Sequence, residues 1–227
     1  MTRQSRISLW LRWVGANSLA ELLGLGTTLA VDYLIIARLA GQSTLGLIVS
    51  ILLVTATGAI EGSIVGILQW SVLRRPFPAI NRRSWVLATV IGAMIAWFFG
   101  SLPSTLMDMG AQQTGAEMQE PSTVVMLLLA AGMGAVLGVV LAYPQWRILR
   151  KVADQAWLWI PANSAAWALG MAVIFAAMDI AFGMPTLTGS IAAIAIALLL
   201  AGALVGAVHG LALVALAARL QAQPGSQ

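Results

Sequence analysis

Six apolar stretches divide the chain, and each is long enough to cross the hydrocarbon core of a membrane as a helix. About 20 apolar residues suffice for one crossing. A helix satisfies all of its own backbone hydrogen bonds, which lipid cannot do for an isolated strand. The sequence therefore predicts an all-α membrane protein with six transmembrane helices in a single domain. The predicted spans are residues 13–37, 45–73, 85–106, 123–149, 159–182 and 190–217.

Composition supports a membrane protein and excludes several kinds of site. Of the 227 residues, 60% are hydrophobic and 9% are charged, more apolar surface than a soluble domain of this size can bury. Cysteine is absent, which excludes disulfides, thiolate metal sites and covalent haem attachment. The single histidine, His209, cannot form a histidine metal cluster within the chain. We therefore expect no cofactor and no bound metal.

The basic residues indicate an orientation. Eleven of the twelve flank the spans on one side, and only Arg38 lies on the other, where Asp108, Glu117 and Glu120 occupy a loop. Bacterial inner-membrane proteins keep lysine and arginine on the cytoplasmic side. The pattern predicts this membrane, with the N- and C-termini in the cytoplasm. Because the arginines flank apolar runs and form no patch of their own, we expect no nucleic-acid partner. The eleven are Arg3, Arg6, Arg12, Arg74, Arg75, Arg82, Arg83, Arg147, Arg150, Lys151 and Arg219.

The odd-numbered spans begin alike. Each opens with Trp-x-x-Ala followed by Asn or Thr, and the three tryptophans are separated by 72 and 74 residues. The openings are Trp13/Ala16/Asn17, Trp85/Ala88/Thr89 and Trp159/Ala162/Asn163. These tryptophans, together with Trp70 and Trp146, fall at the predicted cytoplasmic boundary, where an amphipathic ring favours the headgroup layer. We predict that all five are interfacial anchors.

The even-numbered spans carry small residues at every fourth position. The three sets are Gly58/Gly62/Gly66, Gly134/Gly138/Ala142 and Gly202/Gly206/Gly210. In the first two copies Gln-Trp follows seven residues after the middle glycine, at Gln69 and Gln145, whereas Leu213 stands there in the third. Such ladders let helices pack closely in lipid; pore lining is the alternative.

Together the shared patterns predict three two-helix hairpins in the same orientation, at about 10–75, 82–151 and 156–219, with a flexible tail at 220–227. Parallel repeats imply a pseudo-threefold axis along the membrane normal.

The ionisable residues within the spans each occur in only one copy of the repeat. Glu21 aligns with Ala93 and Trp167, and Glu61 and His209 likewise align with apolar residues. In the first span, Asn17, Glu21, Thr28 and Asp32 share one helix face. Polar groups are costly in lipid, so this face should contact other helices or a wet cavity.

We predict an inner cluster of Glu21, Glu61 and His209, in which a glutamate shares a proton with the histidine, and an outer cluster of Asp32 and Asp179 near Asp108. The alternative is that these groups are buried hydrogen-bonding residues that fix hairpin register. The candidate path or ligand-binding residues are Asn17, Glu21, Asp32, Glu61, Asn163, Asp179 and His209.

The repeated elements resemble a loose group of uncharacterised bacterial multi-pass membrane proteins. The resemblance is carried by the Gly-x-x-x-Gly ladder, by Gln-Trp-x-x-Leu-Arg at 69–74 and 145–150, and by the Trp-x-x-Ala-Asn openings. It covers nearly the whole chain and implies no activity. In hairpin count the layout is also similar to mitochondrial carriers, but their Pro-x-Asp/Glu-x-x-Lys/Arg signature is absent here.

Two functional classes follow from these patterns. The first is a small transporter or channel with a polar path through the bundle, for an ion or small molecule. The alternative is a non-catalytic accessory or scaffold subunit that binds other membrane proteins or a second copy, or holds lipid or pigment. Neither His-Glu-x-x-His nor Gly-x-Ser-x-Gly occurs, so we expect no enzymatic activity. Membrane lipids are expected partners in both cases.

Overall fold

The computed structural model describes residues 1–39, 44–114 and 121–222, which contain helices and no strands. A π-helical turn at Glu21–Leu25 joins the helix Arg3–Ala20 (α1) to the helix Gly26–Leu39 (α2), so that the two form the first span. Six helices are long and apolar enough to cross a membrane, and the predicted all-α fold with six such helices is confirmed. The α-helices are α1 (Arg3–Ala20), α2 (Gly26–Leu39), α3 (Thr44–Leu73), α4 (Arg82–Thr114), α5 (Thr123–Leu149), α6 (Trp159–Phe182) and α7 (Leu187–Ala222).

Several helices extend beyond the apolar stretches that predict them. Helix α4 continues to Thr114, past the predicted end at residue 106, and α7 continues to Ala222, into the predicted tail. Hydropathy marks only the part of a helix that suits hydrocarbon, whereas backbone hydrogen bonding continues into polar sequence. Residues 223–227 of the tail, and Glu117 and Glu120 of the predicted loop, lie outside the described residues, as do the side chains of Arg38 and Asp108.

The six spans form a closed ring. Each span contacts the next along the chain, and α7 returns to contact α1. Every span therefore has two neighbours and one face directed to a common axis. This arrangement places the polar face of the first span inside the bundle, where Asn17, Glu21, Thr28 and Asp32 are all buried.

The closest helix approaches involve the glycine ladders. A Cβ atom on Gly62 would lie 2.6 Å from Val90 Cα, one on Gly138 would lie 2.5 Å from the Asn163 carbonyl oxygen, and one on Gly206 would lie 2.9 Å from Asn17 Cβ. Only hydrogen fits at these positions. The ladder of α3 therefore faces α4, that of α5 faces α6, and that of α7 faces α1, so the tightest contacts join one predicted hairpin to the next. Gly58, Gly66, Gly134, Gly202 and Gly210 make the same kind of close approach.

The end of the bundle that carries the arginines, here called the arginine-rich end, is closed by aromatic rings. Trp13, Trp85 and Trp159 are all 0% exposed. Their rings meet edge to face, with centroid distances of 5.9 Å between Trp13 and Trp159 and 6.2 Å between Trp85 and Trp159. The connection between α3 and α4 adds Phe77 and Ile80 to the same apolar core.

Burial in the bundle corrects the prediction for three of the five tryptophans. Trp13, Trp85 and Trp159 face the common axis rather than the headgroup layer, because their helices converge with these residues turned inward. Trp70 and Trp146 are half-buried. Guanidinium groups lie over their rings, with Arg74 at 5.3 Å from the Trp70 centroid and Arg150 at 5.0 Å from that of Trp146, and an interfacial role for these two stays a prediction.

The opposite end of the bundle is less tightly packed around α5 and α7. The first buried residue of α5 is Ala130, and that of α7 is Ala197. Five large apolar residues at the start of α5 are exposed, and Leu127 between them is half-buried. The five are Val124, Val125, Met126, Leu128 and Leu129, and their exposed fractions range from 36% to 68%.

Candidate functional site

A cavity lies on the axis of the ring, next to the tryptophan layer. Its volume is about 20 Å³, which is room for one or two water molecules. All six spans contribute to its wall, and the wall contains no lysine or arginine. The polar lining residues are Asn17, Glu21, Glu61, Gln69, Thr89, Gln145, Asn163 and His209.

The structure brings together five of the seven predicted site residues. Glu21, Glu61 and His209, the members of the predicted inner cluster, line the cavity together with Asn17 and Asn163. They come from helices that are distant in sequence, so the ring closure of the fold is what assembles them. Within the described residues, no group of three or more His, Cys, Asp or Glu side chains could hold a metal ion.

Asp32 and Asp179, the two members of the predicted outer cluster whose side chains are described, lie in different environments. Asp32 is buried, and its Oδ1 accepts a 2.6 Å hydrogen bond from Thr57 Oγ1. Asp179 is exposed near the end of α6. The sequence predicts a similar depth in the membrane for both residues. In the structure, however, the aspartate of α2 is directed toward α3, whereas the aspartate of α6 is directed outward. Depth along a helix does not fix which face a residue occupies.

Two buried carboxyl groups meet at the cavity. Glu21 is 1% exposed and Glu61 is 6% exposed. They are neighbours, because a Cβ on Gly24, one turn after Glu21, would lie 3.4 Å from both Cα and Cγ of Glu61. Charges on the two side chains would repel each other, and a charge on Asp32 would add to the repulsion at Glu61. No cation in the cavity wall balances them.

The hydrogen-bond partners of the two glutamates differ. Glu61 Oε2 accepts a 2.7 Å hydrogen bond from Trp97 Nε1, whereas Glu21 Oε2 is buried without a partner. Glu21 is also the first residue of the π-helical turn. Such turns insert one extra residue per turn and are frequent at functional sites. An unsatisfied carboxyl oxygen in a buried site indicates room for a further proton or water.

An amide network connects the cavity to the tryptophan layer, with Gln145 at its centre. Gln145 Nε2 donates to Thr89 Oγ1 at 2.9 Å and to Gln69 Oε1 at 3.1 Å, and Gln145 Oε1 accepts from Trp159 Nε1 at 3.0 Å. Gln69 Nε2 in turn donates to Asn17 Oδ1 at 2.9 Å. Five spans are thereby joined through buried side chains.

His209 accepts a hydrogen bond from a tryptophan and does not pair with a glutamate. Trp13 Nε1 lies 2.8 Å from His209 Nδ1. Because an indole N–H can only donate, Nδ1 must be the acceptor, so the imidazole is neutral with its proton on Nε2. Among the described residues no hydrogen bond joins His209 to a carboxyl group, and the predicted sharing of a proton between them is not seen.

One pair in the repeat, Trp159 with Gln145, offers an explanation for the histidine at this position, although the equivalent Trp85 Nε1 is buried without a partner and Gln69 Oε1 accepts from Gln145 instead. Gln145 accepts from Trp159, but the third copy has Leu213 where the first two have glutamine. His209 lies one helical turn before Leu213 on the same face. It supplies Trp13 with the acceptor that the missing glutamine would otherwise give.

Moving the acceptor back to position 213 tests this explanation. We expect His209→Leu to lower the free energy of unfolding by about 1–3 kcal/mol, because Trp13 Nε1 would stay buried without an acceptor. Adding Leu213→Gln to that variant should recover part of the loss. Unfolding of the purified protein in detergent measures both effects. If Leu213→Gln destabilised the His209→Leu variant as much as wild type, the explanation would be wrong.

The sequence interpretation missed four polar residues of this region. Gln69 and Gln145 appear in it only as repeat markers, and Thr89 only as part of a helix opening, yet all three line the cavity. Trp97, which donates a hydrogen bond to Glu61, has no counterpart in the repeat pattern. The two glutamines could have been predicted from the sequence. An amide that recurs in two copies of the repeat inside an apolar stretch needs a hydrogen-bond partner when it is buried.

No family model, no curated protein and no solved structure matches the chain. A fold by itself does not define an activity. The function is therefore inferred from the geometry of the cavity.

Proposed function

We propose that the chain is a multi-pass protein of the bacterial inner membrane, with both termini in the cytoplasm and three like-oriented hairpins around a pseudo-threefold axis. The distribution of basic residues supports the orientation. The glycine contacts support the symmetry, because each even span packs its ladder against the following odd span, and the last packs against the first. The convergence of three equivalent tryptophans on the axis supports it as well.

We propose that this protein is a small transporter or channel whose polar path runs through the axis of the bundle. The observation that carries the proposal is the shared cavity, to which Glu21, Glu61 and His209 contribute from three different spans. Ionisable groups in the membrane interior are costly and typically mark ion or proton pathways. Asp32 and Thr57 extend the path toward the loosely packed end, and Gln69 and Asn17 extend it toward the tryptophan layer.

A flux assay tests the proposal. The protein is reconstituted into liposomes, and a pH gradient is imposed with protons, ions and small solutes followed separately. We expect flux in wild type that Glu61→Gln lowers to the level of empty liposomes, because the substitution removes an ionisable group from the wall of the cavity. Asp179→Asn is the control, since Asp179 is exposed and outside the cavity. Equal flux in wild type and Glu61→Gln would contradict the path.

A non-catalytic accessory or scaffold subunit is the second candidate. The observation that favours it is the start of α5, where Val124, Leu128 and Leu129 are each more than 60% exposed. Another membrane protein or a second copy would cover that segment. Absence of flux in wild type, together with a stoichiometric partner crosslinked in native membranes, would support this candidate over the first.

A further inference from the structure

We propose that the species taken up by this path is the proton, and that Glu21 and Glu61 hold one proton in common. That the proton is transported rests on the proposed function. The proton site itself is inferred from the geometry of the carboxyl pair. Four observations support it: the size of the cavity, the charges around it, the unpartnered oxygen of Glu21 and the continuation of the path toward Asp32.

Size limits what the cavity can take up. A volume of about 20 Å³ holds one or two water molecules, so an organic solute does not fit. The wall is formed by close-packed helices, and Gly62 and Gly202 lie so near their neighbours that no further approach is possible. The site therefore suits a proton, carried either directly or by a water molecule.

The surrounding charges exclude a pair of free carboxylates. From the neighbouring helices the pair faces neutral donors and acceptors: the Trp97 N–H and Thr89 of α4, Gln145 of α5 and Asn163 of α6. The two titratable groups nearby are His209 of α7, which is neutral because its Nδ1 accepts from Trp13, and Asp32 of α2, on which a charge would repel a charge on Glu61. Two buried like charges without a cation are strongly unfavourable. A bound proton removes one of them.

The unpartnered oxygen indicates where the proton resides. Trp97 fixes the Glu61 carboxyl, while Glu21 Oε2 is buried and has no partner. A proton on that oxygen turns an unsatisfied acceptor into a donor for the neighbouring carboxylate, an arrangement known from carboxyl pairs that share one proton. Binding forms one O–H bond at a glutamate as the proton leaves water, and release breaks that bond as the proton returns to water. No other bond changes.

Ionisable groups continue from the pair along the path on one side only. Asp32 Oδ2 is also buried without a partner, and Asp32 is close enough to Glu61 for their charges to interact. On the other side the three tryptophan rings are fully buried. The pair therefore exchanges its proton toward Asp32 and the loosely packed end in the conformation described here.

Infrared spectroscopy of the full-length protein in liposomes tests the proton site without requiring transport. A protonated carboxyl group gives a carbonyl-stretch band that shifts in D₂O. We expect wild type at neutral pH to show such a band and the Glu21→Gln/Glu61→Gln double variant to lose it. Asp179→Asn should leave the band unchanged, and Asp32→Asn should not abolish it. The single variants Glu21→Gln and Glu61→Gln, which keep one carboxyl each, should shift its frequency.

Several results would overturn the inference. These are the absence of the band in wild type, its persistence in the double variant, its loss in Asp32→Asn, and its displacement by sodium when sodium replaces choline in the buffer. Should the double variant fail to fold, a band that is identical in wild type and both single variants would also overturn it. A band with the expected behaviour but no proton flux would support the shared proton and contradict the path, so the two proposals fail separately.

Discussion

Replacing Gly138 by alanine is expected to lower the free energy of unfolding by about 1–3 kcal/mol, the usual cost of adding a methyl group to a full interior. Its Cβ would lie 2.5 Å from the Asn163 carbonyl oxygen and 2.9 Å from Ser164 Cα. These are backbone atoms, so α5 and α6 would have to move apart. The neighbouring contact of Gly134 with Trp167, on the same helix pair, would loosen with them.

Gly132, on the same helix, is the matched control. A Cβ added there meets nothing within 4 Å, and alanine favours helix over glycine by up to about 1 kcal/mol. We therefore expect Gly132→Ala to leave the protein as stable or to stabilise it slightly. Denaturant unfolding of both variants in the same detergent provides the measurement. Effects of the same sign and size would show that the close approach of α5 and α6 does not contribute to stability.

Replacing Gln145 by methionine is expected to destabilise the bundle by about 3 kcal/mol or more, since each buried polar group left unpaired costs about 1–3 kcal/mol. Methionine has nearly the same shape but neither donates nor accepts strongly. The change removes the hydrogen-bond partner of Trp159 Nε1 and separates Thr89 and Gln69 from the network.

The equivalent position in the third copy offers the control for this substitution. Leu213 is already apolar and fully buried, so Leu213→Met exchanges one apolar side chain for another of similar volume and should cost less than about 1.5 kcal/mol. Both variants are compared with wild type by thermal unfolding in detergent. If Gln145→Met were no more destabilising than Leu213→Met, the amide network would have no role in holding the five spans together.

The sequence predicts the helices and the inward polar face because lipid imposes strict rules. A segment in hydrocarbon must be helical and must turn its polar groups away from lipid. The stripe of Asn17, Glu21, Thr28 and Asp32 is therefore predictable from spacing alone, and all four are buried. The same reasoning fails for Asp179, which sits near a helix end where an outward carboxyl group has little cost.

The pairing of side chains is decided by the tertiary structure. Trp13, Trp85 and Trp159 are predicted at the headgroup layer by depth, but helix rotation and ring closure direct them to the axis. For the same reason His209 binds Trp13, which joins the last helix to the first, and Glu61 binds Trp97, which joins α3 to α4.

The sequence by itself determined the number of spans, their helical state and the presence of a polar interior. Only the tertiary structure decided that Glu21 and Glu61 share one small cavity and that the arginine-rich end is closed by tryptophan. The physical reason is that hydropathy fixes the depth of a residue in the membrane, whereas the rotation of each helix and its neighbours are set by packing, here by glycine contacts between spans.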